Sequence, residues 1–349
     1  MKILHLLQTN RFSGAENVVS QIIGIFQGDT DIEMVYCSRD GQIRDALDER
    51  GIQFAPIESL SVQEVKRVIR EQKPDIIHAH DMRAGFVAAR ACGKIPLISH
   101  IHNNNFNSRG LSAKSLAYFL AAKKARHIFW VSQSSFEGYV FHKHFKNKSS
   151  VLYNIIDVDA LYQKMKTDPN RYDYDVIYVG RLTYPKNPQR LMRVLAQIKE
   201  NYPGVKMAVV GTGDLEEETK ALSRELNLAD NVQFLGFQSN PLKMLRDAKV
   251  MIMTSRWEGT PMCALEAMAL GVPIVSTPTD GLCELITNDV TGYLSDADDE
   301  IAKKTCQILL DNTKWQSMSQ HSRELSVKMN NIDFYKDQIL KSYEKGNHV

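Results

Sequence analysis

Two carboxylates, Glu258 and Glu266, stand eight positions apart in the segment Arg256-Trp257-Glu258-Gly259-Thr260-Pro261-Met262-Cys263-Ala264-Leu265-Glu266-Ala267-Met268. The first falls in a loop and the second inside a helix that begins near Met262. Pro261 suits a first-turn position, where a missing N–H costs nothing. The unpaired amides of Met262, Cys263 and Ala264 would then face outward from the helix start, a ready site for a diphosphate. A second segment, Val179-Gly180-Arg181-Leu182-Thr183-Tyr184-Pro185-Lys186-Asn187, carries two cations just after an apolar run.

Such residues need strand-end loops to hold them, and the sequence supplies the elements. Short β-rich runs alternate with amphipathic helical ones, the pattern of βαβ units and parallel sheets. Strands are expected at Lys2 to Leu7, Glu33 to Cys37, Gln53 to Ile57, Asp75 to His80, Leu97 to His102, Ile128 to Val131 and Val151 to Tyr153. The alternation lapses near Lys164-Met165-Lys166-Thr167-Asp168-Pro169-Asn170, which has the turn-forming content of a linker. It restarts with strands at Asp175 to Val179, Lys206 to Val210, Val232 to Leu235, Val250 to Thr254 and Pro273 to Ser276. The expectation is an α/β chain of two doubly wound domains, residues 1–160 and 174–332, joined by a linker at 161–173. A terminal helix over 333–349, with Phe334, Ile339, Leu340 and Tyr343 as its apolar positions, could pack on either domain. In open α/β sheets ligands bind beyond the carboxyl ends of the strands, where both charged segments lie.

The segment from Glu258 to Ala267 resembles the hallmark of the retaining nucleotide-sugar glycosyltransferases of the GT-B fold (glycosyltransferase family 4, group 1 glycosyl transferases). That resemblance implies two Rossmann-like domains facing across a cleft. It also implies that Glu258 contacts hydroxyls of the donor sugar and Glu266 accepts from the ribose, a division that suits carboxylates. Gly259, Thr260 and Pro261 join Met262, Cys263 and Ala264 in the donor site. The Gly-Arg-Leu segment is similar to the family's diphosphate-binding strand end, which assigns Arg181 and Lys186 to the phosphates. Charge building on the leaving diphosphate is stabilised by two such cations without a metal. Asn187 stands where the family usually shows glycine.

Other stretches extend the likeness. Val209-Val210-Gly211-Thr212-Gly213-Asp214-Leu215 has the family's look, and Glu216 sits where a dinucleotide fingerprint wants a third glycine. The resemblance implies that Gly211 and Gly213 border the donor and that Phe237 and Gln238 lie near its base, with plain packing the alternative for Phe237. Thr279-Asp280-Gly281-Leu282-Cys283-Glu284 resembles the family's Gly-rich loop, with Glu284 read as a first-turn carboxylate. In the first domain Asn10-Arg11-Phe12-Ser13-Gly14-Ala15-Glu16 resembles a Gly-Gly-x-Glu loop in which Ser13 replaces the first glycine. Gly14 is the candidate for close approach to a sugar or phosphate, an ordinary tight turn being the other reading. Histidines end two strands, His78-Ala79-His80 and His100-Ile101-His102-Asn103-Asn104-Asn105. The family's cleft-lining histidine corresponds to His102, while His78 and His80 read as structural.

Net charge is +2, yet between Met82 and Ser150 eleven Lys or Arg face a single acid, Glu137. That bias fits an anionic partner or a solvated basic face. Nucleic acid is not indicated, because no recognised binding module accompanies the charge. The segment 111–126 reads as a helix with Leu116, Phe119 and Leu120 opposite Lys114, Lys123, Lys124 and Arg126, suited to an anionic leaflet or to plain packing. Five scattered cysteines indicate neither a disulfide framework nor a zinc cluster, and the apolar start is too short for a signal peptide. A cytoplasmic chain, peripheral on the inner face of the plasma membrane if it touches one, is expected. Four Asp-x-Asp pairs (Asp29/Asp31, Asp157/Asp159, Asp173/Asp175, Asp296/Asp298) look like chance, so no metal ligands are assigned. The expected reaction moves a hexose from a UDP- or GDP-linked sugar to a glycan or lipid-linked acceptor with retention, in bacterial envelope polysaccharide synthesis, with no cofactor. A catalytically idle sugar-binding subunit and a GT-B sugar-nucleotide epimerase are the alternatives.

Overall fold

A computed structural model of the chain describes residues 1–11, 14–102 and 109–344. Phe12, Ser13, Asn103 to Asn105 and the last five positions of the terminal helix segment lie outside them. The chain divides into two compact units, one built from Met1–Ile155 with the segment from Ile332 onward, the other from Ile156–Asn331.

The first unit carries a six-stranded sheet of β1 (Lys2–Leu6), β2 (Glu33–Cys37), β3 (Ile76–His80), β4 (Leu97–Ile101), β5 (His127–Trp130) and β6 (Ser149–Val151). Their order is β2-β1-β3-β4-β5-β6, and every pairing is parallel. Helices cover both faces of such a sheet, which is why its strands read as apolar runs without alternation. The expected strand at Gln53 to Ile57 is reduced to two isolated bridges, Tyr36 to Phe54 and Arg39 to Ile57. Pro56 denies that edge a ladder donor.

The second unit carries β7 (Val176–Val179), β8 (Met207–Val210), β9 (Val232–Gly236), β10 (Val250–Met253), β11 (Ile274–Ser276) and β12 (Gly292–Leu294). The order β12-β11-β10-β7-β8-β9, again all parallel, is the doubly wound arrangement in which the chain reverses direction between β7 and β10. The strand β12 was not foreseen, because Gly292-Tyr293-Leu294 is too short for a periodic signal. Leu191, Val194, Leu195 and Ile198 of the helix Pro188–Asn201 pack with Met207, Val209 and Ile252 in its core.

The segment expected to be a linker begins as structure. Asp157 caps the helix Val158–Lys166 by accepting from the Ala160 amide at 2.9 Å, and Leu161 is buried. Tyr162 adds a bond to the Ala269 carbonyl, tying this helix into the second unit and moving the boundary earlier. The terminal helix Ile332–Glu344 belongs to the first unit, where Tyr343 reaches His78 of β3. Its inward positions are Tyr335, Ile339 and Tyr343, while the expected Phe334 is exposed.

Candidate active site

The loops that follow β7 and β10 leave neighbouring strands at the point where the sheet order reverses, and they carry the charged residues. After β10, Thr254 to Pro261 runs into the helix Met262–Leu270. The backbone of Arg256 donates to the Pro185 carbonyl at 2.7 Å, which locks the two loops together. Thr254 Oγ1 reaches the carbonyls of Lys186 and Asn187, and Thr277 Oγ1 donates to the Ser255 carbonyl at 2.8 Å.

Within this frame Lys186 and Glu258 meet. Lys186 Nζ lies 2.5 Å from Glu258 Oε1, and Ser255 Oγ donates to the same oxygen at 2.5 Å. The side chains are only 16% and 8% exposed, so the pair is largely shielded from water. An ammonium has three donors and a carboxylate two oxygens, so each retains capacity for a ligand. Glu258 is held from behind as well, because its amide donates to Asp280 Oδ2 at 3.1 Å. Ser255 and Asp280 are the two residues the sequence reading overlooked; Asp280, not Glu284, is the first-turn acid of the helix Asp280–Leu285. A carboxylate in a loop preceding a helix was the signal available for Asp280.

Arg181 stands exposed at the end of β7, and Tyr178 fixes its backbone by donating to the Arg181 carbonyl at 2.9 Å. Asn187 adopts φ 55°, the left-handed conformation that glycine would take, and its Oδ1 accepts from Arg256 Nη2 at 3.0 Å. Asparagine tolerates that backbone better than most residues, so the missing glycine leaves the turn intact. The Arg256 guanidinium also lies over the Tyr184 ring at 4.4 Å.

Pro261 is the cap and not the first helical residue, since its ψ is 126°. The Ala264 amide is turned back to the Pro261 carbonyl at 3.1 Å, which removes it from the expected set of free donors. Met262 and Cys263 keep unpaired amides among the described residues. Glu266 lies one turn into the helix, half-buried, and burial pushes its carboxyl up to about 7 against the opposing pull of Lys164.

The glycines have a tangible reason. A Cβ on Gly211 would sit 2.0 Å from the Gly180 carbonyl oxygen, and one on Gly213 would sit 2.2 Å from that of Leu182. These residues therefore let the loop after β8 press directly on the loop that carries Arg181. Phe237 is 70% exposed, and Gln238 Nε2 donates to the Leu235 carbonyl at 2.8 Å.

In the first unit Gly14 opens the helix Gly14–Ile25 with empty space where a Cβ would stand. His102 is buried just beyond β4, its amide donating to Asp81 Oδ1 at 3.0 Å. The Asp-x-Asp pairs all have local duties: Asp296 and Asp298 hold Arg190, Asp173 and Asp175 hold Lys206 and Lys249, Asp157 caps a helix, and Asp29 binds the Asp31 amide and Lys336.

Two consecutive Rossmann-like units, each with an all-parallel six-stranded sheet, have the GT-B fold, and the second carries a carboxylate and an ammonium at its switch point. The family model described as glycosyl transferases group 1 matches residues 163–325, and that described as glycosyltransferase family 4 matches residues 29–160. The chain belongs to the group 1 glycosyl transferases. It is 32% identical over 259 residues to an uncharacterized glycosyltransferase of Methanocaldococcus jannaschii, a match spanning 66% of this chain and 63% of that one. A second M. jannaschii relative is also matched over 63% of its length, so the chain spans a little under two thirds of either. It is 25% identical over 331 residues to the UDP-Gal:alpha-D-GlcNAc-diphosphoundecaprenol alpha-1,3-galactosyltransferase of Escherichia coli, covering 86% of this chain and 85% of that one. The crystal structure of Anabaena HepE in complex with UDP-glucose has the same fold, with a TM-score of 0.85 at 22% identity over 98% of this chain and 99% of that one.

Proposed function

We propose that the chain transfers a hexosyl group from a UDP- or GDP-linked sugar to a hydroxyl of a glycan or lipid-linked acceptor, with retention of anomeric configuration. The observation that carries this reading is the shielded Lys186–Glu258 pair beside the free helix amides of Met262 and Cys263. Lys186, Arg181 and those amides hold the diphosphate. The free oxygen of Glu258 accepts from a sugar hydroxyl, Glu266 accepts from the ribose, and Phe237 and Gln238 lie by the base. His102 and Gly14 are the first unit's contribution to the substrates.

In this mechanism the bond from the anomeric carbon to the diphosphate breaks through an oxocarbenium-like state. The acceptor oxygen bonds to that carbon on the same face, and its proton passes to the departing β-phosphate oxygen. Two cations stabilise the phosphate charge, so no metal and no protein nucleophile is required.

An envelope role with a polyprenyl-diphosphate-linked acceptor is supported by the E. coli relative's activity on a diphosphoundecaprenol-linked sugar. No helix among the described residues is long and apolar enough to cross a membrane. The helix Ala113–Lys124 instead exposes Leu116 and Leu120 beside Lys123 and Lys124, with Phe119 turned toward Phe141 and Phe145. Leucines and lysines thus share the exposed stripe, contrary to the opposed faces expected, and this suits shallow contact with the anionic inner leaflet.

A panel of UDP- and GDP-sugars screened for slow hydrolysis and transfer, with anomeric configuration read by NMR, tests the reading. One donor turned over with retention is expected. Inverted product, or no turnover of any donor, would overturn it, the latter favouring an idle binding subunit.

A further inference from the structure

The first unit buries six histidines on one layer of its sheet, five of them clustered: His5 on β1, His78 and His80 on β3, His100 on β4 and His102 just beyond it, with His127 on β5 the sixth. The parallel register sets His5 beside His78 and His80 beside His100. Burial lowers all five, His5 to about 3 and His102 to about 4, so the rings are neutral.

Three of them form a continuous chain. His102 Nε2 lies 2.9 Å from His80 Nδ1, and His80 Nε2 lies 3.0 Å from His5 Nδ1. The ring centres are 5.1 and 5.3 Å apart with interplanar angles of 25° and 19°. Those separations exceed the N···N distances by about two ring radii, so the rings meet edge to edge with nitrogens facing. His78 and His100 serve as flanking plates, stacked on His80 and His102 at 4.5 and 4.2 Å, and His78 Nδ1 bonds to Tyr343 Oη at 2.8 Å.

Two triplets, His5–His78–His80 and His80–His100–His102, bring ring nitrogens within 4.8 Å of one another, as a metal site would. Imidazole lone pairs lie in the ring plane, however, and those of stacked rings run side by side instead of converging. Both nitrogens of His80 are already committed to the chain.

Each neutral imidazole has one N–H, so the chain has two self-consistent states. With every proton on Nε2, His5 Nε2–H becomes a buried donor with no partner. With every proton on Nδ1, His5 Nε2 is a bare acceptor, and His102 Nδ1–H is left as the terminal donor; neither atom has a partner among the described residues. Each state leaves one donor and one acceptor unmet, but the negative charge of Glu16 acts on His102 and no carboxylate acts on His5, so the donor is better placed at His102, which favours the second state. A proton taken up at His102 would have no exit at His5, so the chain sets a tautomer and does not conduct.

We propose that His80 and His5 are positioning residues that lock His102 as the neutral Nδ1–H tautomer, a hydrogen-bond donor to a substrate oxygen. This rests on the reading of His102 as a substrate contact. The test is long-range 1H–15N correlation on the full chain with 15N-labelled histidine at neutral pH. His5, His80 and His102 are expected as Nδ1–H tautomers, and His80→Phe is expected to move His102 toward Nε2–H. His5→Phe should do so more weakly, keeping the test available if His80→Phe does not fold. An Nε2–H His102 in the intact chain, or one unmoved by both substitutions, overturns the proposal.

Turnover of the donor found in the panel supplies the second readout. An asparagine amide imitates the Nδ1 side of imidazole and a glutamine amide the Nε2 side. His102→Asn is therefore expected to retain about tenfold more kcat/KM than His102→Gln or His102→Ala. If the spectrum shows the lock but all three variants turn over like the parent, the failure lies in His102 as a substrate contact and the donor role falls with it.

Discussion

Lys186 Nζ and Glu258 Oε1 are 2.5 Å apart, so the cation assigned to the phosphates and the carboxylate assigned to the sugar hold each other in place. Removing one member of a shielded pair strands the other's charge, whereas removing both does not. Lys186→Met and Glu258→Gln are each expected to lower stability by about 2–4 kcal/mol, with most of the loss recovered in the double variant. Thermal unfolding of the four proteins checks this. Turnover should fall by about 100-fold or more in all three variants, because stability returns in the double but the contacts to donor do not.

Glu266 gives a pH dependence with a definite sign. Burial raises its folded pKa to about 7, so the folded chain favours the protonated form. The stability cost of ionising it begins as pH rises past the unfolded value near 4.5 and is complete above about 7. Glu266→Gln is therefore expected to be more stable than the parent at pH 8, by up to about 3 kcal/mol, and nearly equal at pH 4. Ribose hydroxyls need the ionised acceptor, so the parent's donor KM should rise as pH falls below 7. A flat KM between pH 6 and pH 8 would remove Glu266 from the donor site.

Gly281 sets the position of the Glu258 loop. A Cβ there would stand 1.8 Å from the Gly259 carbonyl oxygen, and backbone cannot yield as a flexible side chain can. Gly281→Ala is expected to cut kcat by about tenfold or more through displaced Glu258, since small misplacements of a catalytic group are costly. Gly204→Ala, which meets open space, serves as the control with near-parent kinetics.

The chemistry was legible where side-chain type alone carries it. Glu258, Lys186 and the helix after Pro261 were read from motif context, and ten of the twelve strands from short apolar runs, while β6 was expected at Val151 to Tyr153 and lies two residues earlier. What escaped depends on partners brought from elsewhere in the chain. Asp280 is 22 positions from the amide it accepts from, and the Lys186–Glu258 bond joins residues 72 apart. Ala264 was misread because its amide turns back to Pro261, a matter of helix-start geometry and not of composition. The linker was misplaced because polar residues at 164–170 outweighed the Asp157 cap and the inward Leu161. The histidine chain was invisible because five ordinary histidines become unusual only when parallel register aligns them.

The exposed stripe of the helix Ala113–Lys124 predicts membrane contact that depends on both residue types. Leu116→Ser with Leu120→Ser, and Lys123→Gln with Lys124→Gln, should each reduce co-sedimentation with vesicles containing phosphatidylglycerol, the lysine pair by roughly thirtyfold from about 1 kcal/mol per charge near the surface. Binding that survives both substitutions would place the contact elsewhere or nowhere.

The most direct test compares affinities of the sugar nucleotide and of its free nucleoside diphosphate in the parent, Lys186→Met and Glu258→Gln, by calorimetry. Lys186→Met is expected to weaken both ligands. Glu258→Gln is expected to weaken the sugar nucleotide while binding the free diphosphate at least as tightly as the parent, since a neutral amide no longer repels the phosphates and one acceptor for the sugar is lost. Equal affinities in all three proteins for both ligands would show that the donor binds away from this pair, contradicting the site.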